Sequence, residues 1–406
     1  MKTTPDIEAR TARGTLVTAL RVIFLMVCLA LLTLPAVNMV VPIFEQAPLS
    51  GVLPEISLPQ PSLSALASEK LQSGFTAYFE QRYGARPWAT RLDNSLAYWV
   101  FGEEPPDKMA RVGTNGVLYI NDQVYFYNRE DKPDGAAMAA KVKRAQDLLL
   151  ARGKVFVLMI MPTKATIWPN DVPKGWRREG AVAQEAESHI TDPFVEALQA
   201  VGAMYVDGRK SVASLPPEAV YTKTGRHLTG PATCQIFRDA LDIARPLVHD
   251  AEVPEIECRF HMSKEVPIIE EDFDLFRLLN IWTPPPTNAV PAMDPMTDRV
   301  PRERRANAMV LGTSFGWKVV YEAERTHALR HIYYYYYEST LVDRETNAAH
   351  KVAPRSKEWQ DLIADSTLFF YPAPEEYLLQ DGEAFYNSVI ATYGDNSDEA
   401  PGAMKR

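Results

Sequence analysis

A recurring unit constrains this chain more than any other feature: a helix-forming stretch, then a glycine, then a short apolar run. Ala136 to Arg152 has helix-forming composition, stops at Gly153 and gives way to Val155 to Met161, seven apolar residues without a polar break. Glycine ends helices because it takes the left-handed conformation without a Cβ clash, and a continuous apolar run is what a strand covered on both faces requires. The unit returns as Asp192 to Val201, Gly202 and Ala203 to Val206, and more loosely as Trp359 to Ala364 before Leu368 to Tyr371. Successive helix–strand units predict an α/β fold with a mostly parallel sheet flanked by helices. Around this frame, Leu71 to Phe101 reads as two helices joined near Gly84 and Pro87, and Val112 to Ile120 as a hairpin turning at Asn115-Gly116. Val253 to Arg305, rich in proline and charge with Pro284-Pro285-Pro286 at its centre, reads as an irregular insertion carrying a short helix from Asp274 to Asn280.

The amino terminus has a different character. Val22 to Val41 is twenty residues without a charge, about 30 Å as a helix and so about one hydrocarbon thickness. Lys2, Arg10, Arg13 and Arg21 precede it against only Asp6 and Glu8. The positive-inside rule then keeps residues 1–21 cytoplasmic and exports the rest, with 22–41 as a single-pass signal anchor; a cleaved signal peptide is the rival reading. Residues 42–70 hold Pro42, Pro48, Pro54, Pro59 and Pro61, a composition that suits an extended spacer. The expected domain covers 71–392, with the insertion at 253–305, and a polar, disordered tail spans 393–406. Cys234 and Cys258 fall in the exported part, where a disulfide between them is permitted and two buried thiols remain the alternative.

The net charge of −9, without a basic stripe, argues against nucleic acid as a partner. Ser314 stands in Leu311-Gly312-Thr313-Ser314-Phe315-Gly316 after the apolar run Met309-Val310-Leu311, so it leaves the end of a buried strand. Ligands of open parallel sheets gather at that edge, and a serine on such a turn presents its hydroxyl while backbone N–H groups point at a developing oxyanion. A base for it is available at His227, within Tyr221-Thr222-Lys223-Thr224-Gly225-Arg226-His227-Leu228-Thr229. His327 and His331 lie four apart without an HExxH or carboxylate companion, and there is neither a Walker lysine loop nor a G-x-G-x-x-G, so no metal and no cofactor are expected.

In order along nearly the whole exported part, the chain resembles the SGNH-hydrolase-like domain of the alginate O-acetyltransferase family, the AlgJ/AlgX type. The stretches that carry the resemblance are Phe79 to Arg86, Val112 to Tyr119, Met161 to Pro169, Val206-Asp207, Tyr221 to Thr229 and Val310 to Gly316. It implies an SGNH-hydrolase-like fold, acetyl transfer to an exported polysaccharide, a periplasmic domain anchored in the inner membrane, and a multi-pass membrane partner that supplies acetyl. It also implies Ser314 as nucleophile and His227 as base. The family's usual Asp-Thr-His-Trp pattern places its aspartate on Gly225 and its tryptophan on Leu228, so the acid position is degenerate here. Loss of a triad acid costs about 10⁴-fold in turnover. The chain is therefore read as an O-acetyltransferase with an incomplete Ser–His site; the alternative is an inactive polysaccharide-binding or scaffold subunit of an export complex. Lys164, after the strand that ends at Met161, is placed to reach the cleft and bind a carboxylated sugar or support the site, with a surface lysine capping a loop as the alternative. Tyr333 to Tyr337 reads as strand and core, with sugar platforms as the alternative. The chain ends soon after the last expected helix, so the carbohydrate-binding module of the AlgX type is not expected.

Overall fold

The structure is a computed structural model that describes residues 4–43, 45–51, 55–104, 110–127, 134–173, 176, 191–264, 272–282, 289–296 and 300–394. Pro54, the triple proline at 284–286 and the tail from residue 395 lie outside these. Two compact units are formed, Met1–Asp107 with Arg277–Thr283, and Lys108–Phe276 with Pro284–Arg406.

The larger unit is built on a seven-stranded sheet. Its strands are β1 (Val155–Met161), β2 (Tyr205–Asp207), β3 (Ala308–Gly312), β4 (Ile332–Tyr336), β5 (Thr340–Asp343), β6 (Ala349–Lys351) and β7 (Leu368–Pro374). In space they run β6-β5-β4-β3-β7-β1-β2. Every pairing from β4 to β2 is parallel, and β5 and β6 extend the β4 edge antiparallel. The sheet is thus mixed, with the expected parallel core.

Alternation along β1 shows why the run had to be apolar throughout. Val155, Val157, Met159 and Met161 face one core, while Phe156, Leu158 and Ile160 face the other. The Gly230–Ala244 and Phe315–Arg325 helices contribute to the first core. Helices Ala136–Leu150, Asp192–Ala200, Lys357–Asp365 and Glu383–Tyr393 contribute to the second. The helix-ending glycines behave as expected, Gly153 at φ +71° and Gly202 at φ +66°. The 253–305 region has more order than its composition suggests: Phe260–Ser263 and Val290–Met293 pair as an antiparallel hairpin, and Cys258 is bridged to Cys234 of the Gly230–Ala244 helix.

The smaller unit contains α1 (Thr4–Asn38), α2 (Lys70–Arg82) and α3 (Arg86–Leu96), the last continued by a π turn over Ala97–Phe101. Within α1, the 24 residues Thr15–Asn38 include an 18-residue window of mean hydropathy 2.5, long and apolar enough to cross a membrane as an anchor or to act as a signal sequence. The helix ends at Asn38, so Met39 to Val41 continue as turn. Parts of the proline-bearing stretch lie along this unit's helices: Arg91 Nη2 donates to Pro48 O at 2.7 Å and Ile56 N to Gln81 Oε1 at 3.0 Å.

Candidate active site

Parallel β1, β3 and β7 end together, and Ser314 leaves the end of β3. Gly312, the last residue of β3, has φ +109°, a left-handed turn that a side chain resists. At Gly316 a Cβ would come within 2.4 Å of the Tyr334 ring. Tyr334 fills that space and donates its hydroxyl to Thr313 O. The tyrosine run is thereby placed: Tyr334 and Tyr335 are core, and Tyr334 braces the turn that presents Ser314. The Phe315–Arg325 helix starts directly after, with Ser314 at its N-cap, so the helix's positive end stands behind the serine.

His227 arrives on a tightly held loop. Its Nε2 lies 2.9 Å from Ser314 Oγ, and its ring packs on Phe315 with centroids 5.0 Å apart. On the other side, Nδ1 lies 2.8 Å from Asp274 Oδ2. That is ion-pair distance, although the ring N–H is not aligned for a hydrogen bond. Tightening of such contacts on substrate binding is common at catalytic sites.

Asp274 is the residue that the sequence did not reveal. It opens the short helix Asp274–Leu278 in the insertion, 47 positions after His227 (274 − 227). Its Oδ1 accepts from the backbone N–H of Arg226 and of Leu275, each at 2.7 Å, which turns Oδ2 toward the imidazole. The two segments are fastened by threonines: Thr222 Oγ1 and Thr224 Oγ1 both donate to Asp272 O, at 2.5 and 2.9 Å, and Phe276 N donates to Thr224 O at 3.2 Å. A carboxylate from another segment thus stands beside His227 Nδ1, where Gly225 offers none.

Lys164 requires a correction. It is wholly buried, and its Nζ donates to Lys223 O and Gly225 O, both at 2.8 Å, so it holds the histidine loop rather than reaching into a cleft. Burial pushes its pKa well below the usual lysine range, with Asp274 acting in the opposite direction. Asp207, the carboxylate at the end of β2 upstream of the histidine segment, is occupied by a two-pronged pairing with Arg209, with contacts of 2.9 Å to each of its oxygens. His331 pairs with Glu345 and Asp343, at 2.9 and 3.3 Å. Among the described residues no group of three or more His, Cys, Asp or Glu could hold a metal ion.

Residues 110–313, half of the chain, match the family model described as SGNH hydrolase-like domain, acetyltransferase AlgX. The chain belongs to this family. Its fold is accordingly SGNH-hydrolase-like, and the family-level activity is that of an acetyltransferase domain. Among solved structures the chain is similar to the O-acetyltransferase domain of Pseudomonas putida AlgJ, at 14% identity and TM-score 0.45, over 70% of this chain and 99% of that one. It is similar to Pseudomonas aeruginosa AlgX at 13% identity and TM-score 0.46, over 69% and 66%. For Bacillus cereus PatB1 the values are 10% and 0.42, over 68% and 99%. A search of curated proteins gave no match.

Proposed function

We propose that this protein is a membrane-anchored O-acetyltransferase that acts on an exported polysaccharide through Ser314, His227 and Asp274. The observation that carries the reading is the continuous chain of contacts, Ser314 Oγ to His227 Nε2 at 2.9 Å and His227 Nδ1 to Asp274 Oδ2 at 2.8 Å. A carboxylate facing Nδ1 keeps the proton on that nitrogen and leaves Nε2 as the free base. His227 takes the Ser314 proton as Oγ attacks the acetyl carbonyl of a donor. The proton then passes to the departing group, leaving acetyl-Ser314. A sugar hydroxyl enters, gives its proton to Nε2 and attacks the acetyl carbon; collapse releases the O-acetylated sugar and returns the proton to Oγ.

Each tetrahedral intermediate carries an oxyanion. The N–H groups of Gly316 and Trp317 bond back to Thr313 O and Ser314 O. Those of Ser314 and Phe315 are therefore the ones to point at the developing charge. Export to the periplasm and anchoring in the inner membrane by α1 belong to the same reading, supported by the family and by the apolar helix; a multi-pass partner that delivers acetyl is the further part of the proposal. The idea of an inactive glycan-binding subunit drew on the missing acid at Gly225, and Asp274 beside Nδ1 weighs against it.

The test is hydrolysis of p-nitrophenyl acetate, and acetyl transfer from it to soluble polysaccharide acceptors, by the purified full chain and by Ser314→Ala. Turnover that falls to background in Ser314→Ala is the expected result. Unchanged turnover in that variant removes Ser314 as nucleophile, and an inert wild type that still retains polysaccharide marks a binding protein.

A further inference from the structure

In the smaller unit, α3 is built inside out. Its buried residue is polar: Asn94, whose Nδ2 donates to Leu279 O at 2.7 Å. Its outward face is apolar. Trp88, Leu92 and Leu96, continued by Trp99, Val100 and Phe101 in the π turn, are each between 45% and 68% exposed. At about 100° per residue the helical members of this set form one stripe, with Arg91 beyond one edge and Asp93, then Arg86, beyond the other. A helix beside water shows the reverse arrangement, because exposing a contiguous apolar patch forfeits the free energy of burying it.

The position of the stripe identifies what covers it. Gly84, in the turn between α2 and α3, lies against the carboxyl end of α1: Asn38 Nδ2 donates to Gly84 O at 2.9 Å, and a Cβ on Gly84 would meet Pro35 O at 2.2 Å. Thr15–Asn38 is the stretch able to cross a membrane. At 1.5 Å per residue its 24 residues span about 36 Å, slightly more than the hydrocarbon core. Asn38 then marks the far interface, and α3 sets out from that level two residues after Gly84. Tryptophans such as Trp88 and Trp99 concentrate at this depth, where an apolar ring meets a polar boundary, and flanking arginines suit lipid phosphates.

We infer that α3 and its π turn lie in the bilayer interface, with Leu92, Leu96 and Trp99 facing the acyl chains. The smaller unit is thus a membrane-surface foot as well as an anchor, and it holds to lipid by an amphipathic helix in addition to α1. This rests on α1 crossing the bilayer and is independent of the chemistry at Ser314.

The experiment uses the full chain with Cys28→Ser, one copy per phosphatidylcholine nanodisc, and single nitroxide labels at Leu96→Cys, at Leu25→Cys in α1, and at Tyr125→Cys as the aqueous reference. Tyr125 is 69% exposed in the other unit. Collisions with oxygen, which partitions into lipid, are compared with collisions with a water-soluble nickel chelate. The expected result is a severalfold higher oxygen-to-nickel ratio at Leu96 than at Tyr125, in the same direction as at Leu25. A Leu96 ratio equal to that of Tyr125 means that the face is wet and overturns the inference. Shielding of Leu96 from both reagents means that protein covers the face, which overturns it equally. Water contact at Leu25 removes the premise, and the inference with it.

Discussion

Replacing Asp274 by Asn tests the proposed site at the point where sequence and structure diverge. The variant keeps an oxygen to accept from the Arg226 and Leu275 N–H groups, each at 2.7 Å, so the insertion stays docked. What changes is the charge facing His227. When Nε2 takes the serine proton the imidazolium forms 2.8 Å from Asp274 Oδ2. Two unit charges at that separation attract by about 6 kcal/mol at an effective dielectric of 20 and by about 1.5 kcal/mol in bulk water. The carboxylate side chain is 26% exposed, which places the effect between these limits, at about 3 to 4 kcal/mol. That corresponds to a loss of roughly 200- to 1000-fold in kcat, less than the about 10⁴-fold of a fully sequestered triad acid. The assay is steady-state p-nitrophenyl acetate hydrolysis, with the melting temperature as a check on folding. A kcat within threefold of wild type, alongside an inactive Ser314→Ala, refutes the assignment of Asp274. A loss confined to KM refutes it as well, because orienting the base acts on the transition state.

Gly225→Asp should bring no gain in kcat, since the carboxylate already faces Nδ1; a rise would mean that Asp274 does not serve the histidine. Lys164→Met leaves the Lys223 and Gly225 carbonyls without their buried donor, and urea unfolding should show a loss of about 2 to 4 kcal/mol, with lower kcat as the histidine loop loosens. The Cys234–Cys258 bridge joins residues 24 apart, so Cys234→Ser with Cys258→Ser should cost about 3.5 kcal/mol by the loop-entropy account, measured the same way against the oxidised wild type. Glu376 is half-buried overall, yet neither carboxylate oxygen reaches solvent. Burial, opposed by its own backbone N–H and by Arg226, pushes its pKa up from 4.5 to about 7. The folded chain therefore holds this proton where the unfolded chain has released it. The stabilisation is complete below the unfolded value and is lost as pH rises through about 7, by up to about 3 kcal/mol. Unfolding titrations of wild type between pH 4 and 8 should show that fall, and Glu376→Gln should flatten it.

The scaffold was largely legible because its signals are local. Val155 to Met161 could be read as a doubly covered strand from its unbroken apolarity, and Gly153 and Gly202 as helix ends from backbone sterics alone. The turn around Ser314 was legible for the same reason: an apolar strand followed by closely spaced glycines encodes its geometry within seven residues. Asp274 was not. Its helix was expected, but its partnership with His227 depends on Thr222 and Thr224 bonding to Asp272 O across about fifty positions, and no spacing rule carries a contact of that range. Lys164 misled because its position was right and its direction was not. A lysine after a strand end can turn outward to a ligand or inward to carbonyls, and only packing decides. The hairpin at 260–263 and 290–293 was obscured by the proline and charge between its strands.

The placement of Asp274 bears on how degenerate members of a family are judged. A catalytic motif written as adjacent letters records which backbone happened to carry each group, whereas the chemistry depends on where the groups end up. Here the histidine segment has a glycine at the customary place, and a neighbouring segment, fastened to it by two threonines, brings a carboxylate to the same imidazole nitrogen. Surveys that discard chains for want of an aspartate two residues before the histidine would set this one aside before the Asp274–His227 contact was weighed. A gap in a motif reports on a position, and only the assembled pocket reports on the reaction.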